Sequence, residues 1–446
     1  MRRSLRSIDA GDSPWSGATD RPGRGVGAVH YAGSVPSFRP FQGLRYDPSL
    51  VSLNEVIAPP YDVVDEQGRA ALASRSDYNA ILVELPSDDP ESGRDRYRVA
   101  ADLLGQWQAK GVLRRDEEPA LYGYRMEYAD PAGRTVSTTG VFGALGVEDP
   151  DRGGILPHEE TMSKPKGDRL YLLRATRTNL SPIWGLSLAR GLTAWCTPEA
   201  TGATEMVTAT DTEGVVHSLW PIVDADACTR IADAVASNSV VIADGHHRFE
   251  TALNYRNEQG PSEGDVRASG GAAGGVFALV VELAEEQLHV RSIHRVLSDL
   301  PADLDVAEAF AGRFALQEYT SDPVGINPDL LVAEEAIALV TGSGAWLLRD
   351  VATAGGEGSG EDVLAELDSV HLRAALDTLP AHEIDYEPRW PVALAAVRNG
   401  SSQAAVMIRP VTVDQIGRCA RAGLRMPPKT TFFHPKPRTG MVFRPL

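Results

Sequence analysis

Cysteine is scarce: Cys196, Cys228 and Cys419 are the only three in 446 residues. They are scattered, form no C-x-x-C pair, and their odd number argues against a disulfide framework. A reducing, cytoplasmic setting is the expectation. No apolar run reaches the roughly 18 residues of a membrane span, so no membrane partner is expected. Base is outnumbered by acid, with 43 Lys and Arg against 61 Asp and Glu and a formal net charge of −18. Such a surface repels phosphate backbones, which argues against a nucleic-acid partner. The first residues, Met1-Arg2-Arg3, are not followed by the apolar stretch of a secretory signal.

Several nucleotide and hydrolase signatures are also missing. There is no G-x-x-x-x-G-K loop, no G-x-G-x-x-G turn after a strand and no G-x-S-x-G elbow. There is no H-E-x-x-H and no Cys/His quartet, so no protein-held metal is expected.

What remains is an ordinary globular composition, 43% hydrophobic and 23% charged. Residues 1–37 are rich in Gly, Ser, Arg and Pro, lack periodicity, and are expected to be a disordered extension. Residues 38–446 form the structured part, read as segments 38–150, 151–300 and 301–446. Val56-Ile57-Ala58-Pro59-Pro60-Tyr61-Asp62-Val63-Val64 reads as a strand, a Pro-fixed loop and a second extended piece. Helices are expected over Tyr97–Lys110, Leu170–Thr176, Ala225–Ala236, Phe249 onward and Val413–Ala422. Strands are expected over Leu121–Tyr128, Val136–Val147, Val240–Ala243 and Ala404–Ile408. Phe277–Leu283 and Leu288–Ile293 read as a strand pair, and Ala336–Val340 with Ala345–Leu348 as a hairpin. Ser262–Gly275 and Ala354–Gly360 read as loops. The fold class is mixed α/β.

The most informative stretch is Val240 to Leu253. A buried strand runs into Asp244-Gly245, and His246, His247 and Arg248 open a helix whose apolar stripe is Phe249, Ala252 and Leu253. A helix N-terminus already carries about half a positive charge, so cationic side chains there call for an anion opposite. The functional reading is a phosphate or carboxylate pocket. Gly245 lets the backbone approach a ligand, and Arg248 forks onto phosphate oxygens. Asp244 could hold a metal-bound nucleotide or take a proton from a hydroxyl. His246 and His247 point about 100° apart and cannot share one task. The alternative is a helix start with solvated polar residues.

Three further segments carry candidate chemistry. Leu156-Pro157-His158-Glu159-Glu160-Thr161 leads through Lys164 to Asp168 and Arg169, as a loop of acid/base and phosphate-binding groups or simply a solvated loop. Asp211 to Gly214 reads as a hairpin turn that sets His217 and Trp220 on opposite strand faces. Met426-Pro427-Pro428-Lys429-Thr430-Thr431-Phe432-Phe433-His434-Pro435-Lys436 reads as an extended, aromatic-anchored segment with one functional lysine, or as a packed strand.

Phe38-Arg39-Pro40-Phe41, Val56 to Val63, His158 to Thr161, Ala243 to Arg248 and Met426 to Lys436 occur in this order. Together they resemble the family called domain of unknown function ten-fifteen. Phe249 stands where Tyr is expected, and Pro428 where Gln is. The Asp244–Arg248 turn is also similar to the phosphate-binding turn of the ParB/sulfiredoxin-like fold, which includes free-serine kinases. The resemblance implies a ParB/sulfiredoxin-like core elaborated by further mixed sheets. It implies an ATP- and Mg²⁺-dependent transfer of phosphoryl to a small hydroxylated metabolite, with free L-serine the leading acceptor. Asp244 and His247 become the catalytic candidates, with Glu159 and Glu160 as assisting carboxylates. Gly245, His246, Arg248, Lys164 and Arg169 become candidates for the phosphates. His158, Asp62 and Lys429 become candidates for the substrate. The rivals are a nucleotide-binding regulator without turnover and a ParB-like nuclease. Oligomeric state is left open.

Overall fold

The computed structural model describes residues 35–89, 93–130, 133–149, 152–159, 167–259, 272–319, 322–350 and 363–446. The expected extension, apart from its last three residues, and the loop at 354–360 lie outside these residues, as do residues 262–271 of the loop at 262–275. The chain divides into two compact units. Unit one takes in Met1–Pro157, Thr161–Glu282 and Lys436–Leu446, and unit two His158–Glu160 and Leu283–Pro435.

Among the described residues, unit one is built on a nine-stranded mixed sheet. Its order is Ile155–Pro157, Val240–Asp244, Ile183–Ser187, Gly275–Glu282, Thr135–Gly146, Leu121–Ala129, Val216–Ile222 and Val207–Thr210, with Phe38–Arg39 paired onto Thr135–Gly146. Most neighbours are antiparallel, but Val240–Asp244 runs parallel to Ile155–Pro157, and Gly275–Glu282 parallel to Ile183–Ser187. One core joins Val141, Ile183, Trp220, Val240, Ile242 and Val280 to two helices. Helix Ala225–Ala236 contributes Ala227, Ile231 and Val235, and helix His246–Gln259 contributes Phe249, Ala252 and Leu253. The first helix starts where Asp224 accepts a hydrogen bond from the Ala227 amide, a side-chain cap worth about 1 kcal/mol. A second core gathers Leu44, Ile81, Leu104, Trp107, Leu172 and Phe443 around helices Arg96–Ala109 and Gly167–Thr176.

Among the described residues, unit two is built on a six-stranded antiparallel sheet. Its order is Phe314–Glu318, Ala345–Asp350, Ile337–Thr341, Ala404–Met407, His294–Ser298 and Glu383–Glu387. The period of two in a strand separates its cores cleanly. Ile337 and Leu339 face Leu372 and Leu376 of helix Asp368–Leu376, while Ala338 and Val340 face Leu394 and Val397 of helix Trp390–Arg398.

Two expectations are corrected. Val56 ends a short helix, Leu53–Val56, rather than a strand, and Tyr61–Val63 is a 3-10 turn. The Val56 carbonyl accepts from the Ala80 amide, a tertiary contact that overrides β-branched propensity. Gly275–Glu282 and His289–Arg291 do not pair with each other: the first joins the unit-one sheet, and the second pairs with Phe432–His434. No helix among the described residues is long and apolar enough to cross a membrane.

Candidate functional site

The strand Val240–Asp244 is buried up to Ala243, and a register shift after Ile242 re-aims its last residue. Gly245 then takes a φ of +86°. A Cβ there would sit 3.0 Å from Arg248 Nε and 3.1 Å from Ile183 Cγ2, so both conformation and space demand glycine. The Phe249 amide closes on the Gly245 carbonyl at 3.0 Å, which makes Gly245 the residue before the first turn. The amides of His246, His247 and Arg248 therefore have no acceptor within the helix. The helix starts at His246, three residues earlier than its apolar stripe indicates.

Asp244 sits between two cations. Its Oδ2 accepts from Arg248 Nη2 at 2.7 Å, and its Oδ1 from Lys436 Nζ. Burial pushes this carboxyl up, but Lys436 and Arg248 outweigh it and hold Asp244 well below the usual carboxylate range. Arg248 is itself buried, and its Nη1 donates to the Pro182 carbonyl. Burial disfavours its charge, and the carboxylates of Asp62 and Asp244 more than restore it. The sequence reading gave Arg248 a fork onto phosphate. In the structure both terminal nitrogens have protein acceptors, because an arginine at the fourth position after Asp244 folds back along the helix to reach it.

Lys436 arrives on the last segment of the chain, which is anchored beyond it. The Arg438 amide donates to Tyr124 Oη at 3.1 Å, and Arg438 Nε donates to Asp211 Oδ2 at 2.7 Å. His217, fully buried, bridges Tyr124 Oη at 2.7 Å and Asp211 Oδ2 at 2.9 Å. Burial and then Arg438 depress its pKa against the pull of Asp211.

A cleft adjoins this cluster, lined among others by Tyr61, Glu84, Arg169, Ser181 and Arg248. The Tyr61 ring lies 4.3 Å from the Arg169 guanidinium and 5.9 Å from that of Arg248. Burial pushes the Tyr61 hydroxyl up to about 12. Asp62 Oδ2 is 3.8 Å from Arg248 Nη2, which joins it to the Asp244 cluster. Arg169 donates from Nε and Nη2 to its neighbour Asp168 and from Nη1 to the Glu84 carbonyl at 2.7 Å. His247 Nδ1 is 3.6 Å from Glu250 Oε2, and His246 occupies the first helical position.

The loop expected to carry acid/base and phosphate groups together is divided. Asp168 and Arg169 belong to unit one, and His158 and Glu159 to unit two. Glu159 Oε1 accepts from the Thr431 amide and hydroxyl, both at 2.7 Å, and Oε2 from the Lys429 amide at 3.0 Å. His158 Nε2 lies 2.7 Å from Thr431 Oγ1. Lys429 is exposed and holds a φ of +61°, so its main chain, not its ammonium, meets Glu159. Glu160 and Lys164 lie outside the described residues.

Sequence reasoning missed Lys436, Tyr61 and Glu84. Lys436 shares its segment with Lys429, the lysine expected to be functional. Nothing local distinguishes the two, because the distinction is a contact with Asp244 across 192 positions. Tyr61 stood beside Asp62 in the Pro-Pro segment. Glu84 had no signal at all.

No curated protein matches the chain. Among solved structures, a free serine kinase in complex with AMP is 12% identical with a TM-score of 0.35, covering 63% of this chain and 83% of its own. SbnI from Staphylococcus aureus, with a C-terminal truncation, is 12% identical with a TM-score of 0.35, covering 67% and 85%. A conserved hypothetical protein from Pyrococcus furiosus is 14% identical with a TM-score of 0.32, covering 63% and 87%. Likeness at this level leaves the site to be read from the chain's own residues. The model of one family, Protein of unknown function (DUF1015), matches residues 38–370, and the chain belongs to that family.

Proposed function

We propose that unit one transfers the γ-phosphoryl group of ATP to the hydroxyl of a small metabolite, with free L-serine as the leading acceptor. The observation that carries this reading is Asp244, fixed between Lys436 and Arg248 at the lip of a glycine turn and a helix start. The helix start and its dipole favour phosphates over the first turn, with His246 and His247 beside them. Phosphoryl transfer depends mainly on positioning and charge neutralisation.

In the step itself, the acceptor oxygen bonds to the γ-phosphorus as the bond to the bridging oxygen breaks. ADP leaves with that electron pair, and the hydroxyl proton passes to Asp244. Lys436 supplies positive charge at the same carboxylate, while Arg248 acts from beneath it as a positioning residue. No group of three or more His, Cys, Asp or Glu suited to a metal occurs among the described residues. Mg²⁺ brought by the nucleotide needs only one or two carboxylates, for which Asp62 is the candidate, and it would neutralise phosphate charge. The choice of serine rests on the resemblance of the Asp244–Arg248 turn to that of free-serine kinases.

One observation favours a second reading, a nucleotide-binding regulator. A carboxylate already neutralised by two cations is a weak proton acceptor, which suits binding without turnover. The two separate in one experiment: incubation of the full chain with ATP, Mg²⁺ and a pool of amino acids, read by mass spectrometry. Catalysis predicts O-phosphoserine and ADP in equal amounts. Nucleotide binding with no phosphorylated acceptor would favour the regulator.

A further inference from the structure

Glu84 closes the helix Ile81–Glu84 and lines the cleft beside the Asp244 cluster, yet it is only 2% exposed. Ser181 Oγ donates to its Oε1 at 2.7 Å. Among the described residues no ion pair reaches this carboxylate. Arg169, the cation that acts on it most strongly, donates from Nη1 to the Glu84 main-chain oxygen and from Nε and Nη2 to Asp168. Burying a carboxylate with one neutral donor is expensive, and fold stability gives no return for it. Burial raises its pKa, against the opposing pull of the Arg169 and Arg248 guanidiniums and the Ser181 hydroxyl.

We infer that the Glu84 carboxylate, with the Ser181 hydroxyl, binds the ammonium group of a small amine-bearing metabolite in this cleft. The inference rests on the proposed phosphotransfer in placing that metabolite as the acceptor. It narrows the acceptor from any small alcohol to an amino alcohol or hydroxy amino acid. Arg248 lines the same cleft, and its Nε is buried without an acceptor among the described residues. It is the donor available to an oxygen of the same ligand.

The test is calorimetric titration of the full chain with L-serine, ethanolamine and 3-hydroxypropanoate. The first two carry the ammonium group and the third does not. The inference predicts that 3-hydroxypropanoate binds at least about 10-fold more weakly than L-serine, and that Glu84→Gln weakens L-serine and ethanolamine by about 10- to 100-fold. Equal binding of the amine-free ligand, unchanged affinity in Glu84→Gln, or no binding of either amine would overturn it. The analogue comparison uses the natural chain, so it decides the matter even if Glu84→Gln does not fold. Amine-selective binding without any phosphorylated product would contradict the phosphotransfer and still support the pocket.

Discussion

Two carboxylates with similar sequence settings are used in opposite ways. Asp244 precedes a glycine and two histidines, and Glu159 follows a histidine and precedes another glutamate. In unit one, Asp244 is balanced by full charges on Lys436 and Arg248. In unit two, Glu159 is held by two main-chain amides and a threonine hydroxyl. Charge partners leave an electrostatic centre at the surface of a turn. Amide partners fix the path of a chain. The difference is made by residues far away in sequence, not by the motif itself.

The largest effect expected on this comparison comes from Lys436→Met. It leaves a mostly buried carboxylate with Arg248 as its remaining cation and should cost roughly 3–5 kcal/mol of unit-one stability. Denaturant unfolding followed by hydrogen exchange of Val240–Asp244 checks it. A loss below about 1 kcal/mol would show that Lys436 is not part of a buried charge balance.

Acid separates the two kinds of group next. His294 in unit two is pushed down to about 4, by burial and then by Arg295. Its folded pKa lies below its unfolded one, so the unfolded chain binds the extra proton. Stability is then full above about pH 6.5 and falls as pH drops toward 4, by about 1.4 kcal/mol per unit and roughly 3 kcal/mol in all. His217 in unit one moves in the same direction. Asp244 is depressed instead from the carboxylate range, so its contribution persists through this window and is lost only at lower pH. Exchange protection of Ala404–Met407 from pH 7 to 4 in the natural chain and in His294→Gln measures the first part. A pH slope that survives in His294→Gln would assign the acid sensitivity elsewhere.

A smaller effect is expected from Glu159→Gln, about 1–3 kcal/mol of unit-two stability, because one acceptor of the Lys429–Thr431 turn is removed. Thermal unfolding reads that loss. A simultaneous collapse of phosphotransfer would give Glu159 the assisting role for which it is a candidate. Retained phosphotransfer would confine it to holding the turn.

Much of the fold was legible in the sequence where periodicity and local turn chemistry decide structure. Helix Ala225–Ala236 matches its expected bounds, with Asp224 as cap. The hairpin of Ile337–Thr341 and Ala345–Asp350 forms as expected, because its strands alternate between two cores. Asp244-Gly245 was legible because a left-handed residue between strand and helix requires glycine. Val56 was not, because its helix is fixed by Ala80 rather than by propensity. The partners of the site were the least legible. The inward turn of Arg248 depends on the Pro182 carbonyl, and the choice of Lys436 over Lys429 depends on where Arg438 is anchored by Asp211 and Tyr124. None of these has a local signature.

The central claim is that Asp244, held by Lys436 and Arg248, is the phosphotransfer centre. The most direct measurement is O-phosphoserine formed from ATP and L-serine by the natural chain and by Asp244→Asn, quantified side by side by mass spectrometry, with nucleotide binding measured for both. The account predicts product from the natural chain, at least about 100-fold less from Asp244→Asn, and nucleotide bound by each. Equal product from the two proteins would contradict it.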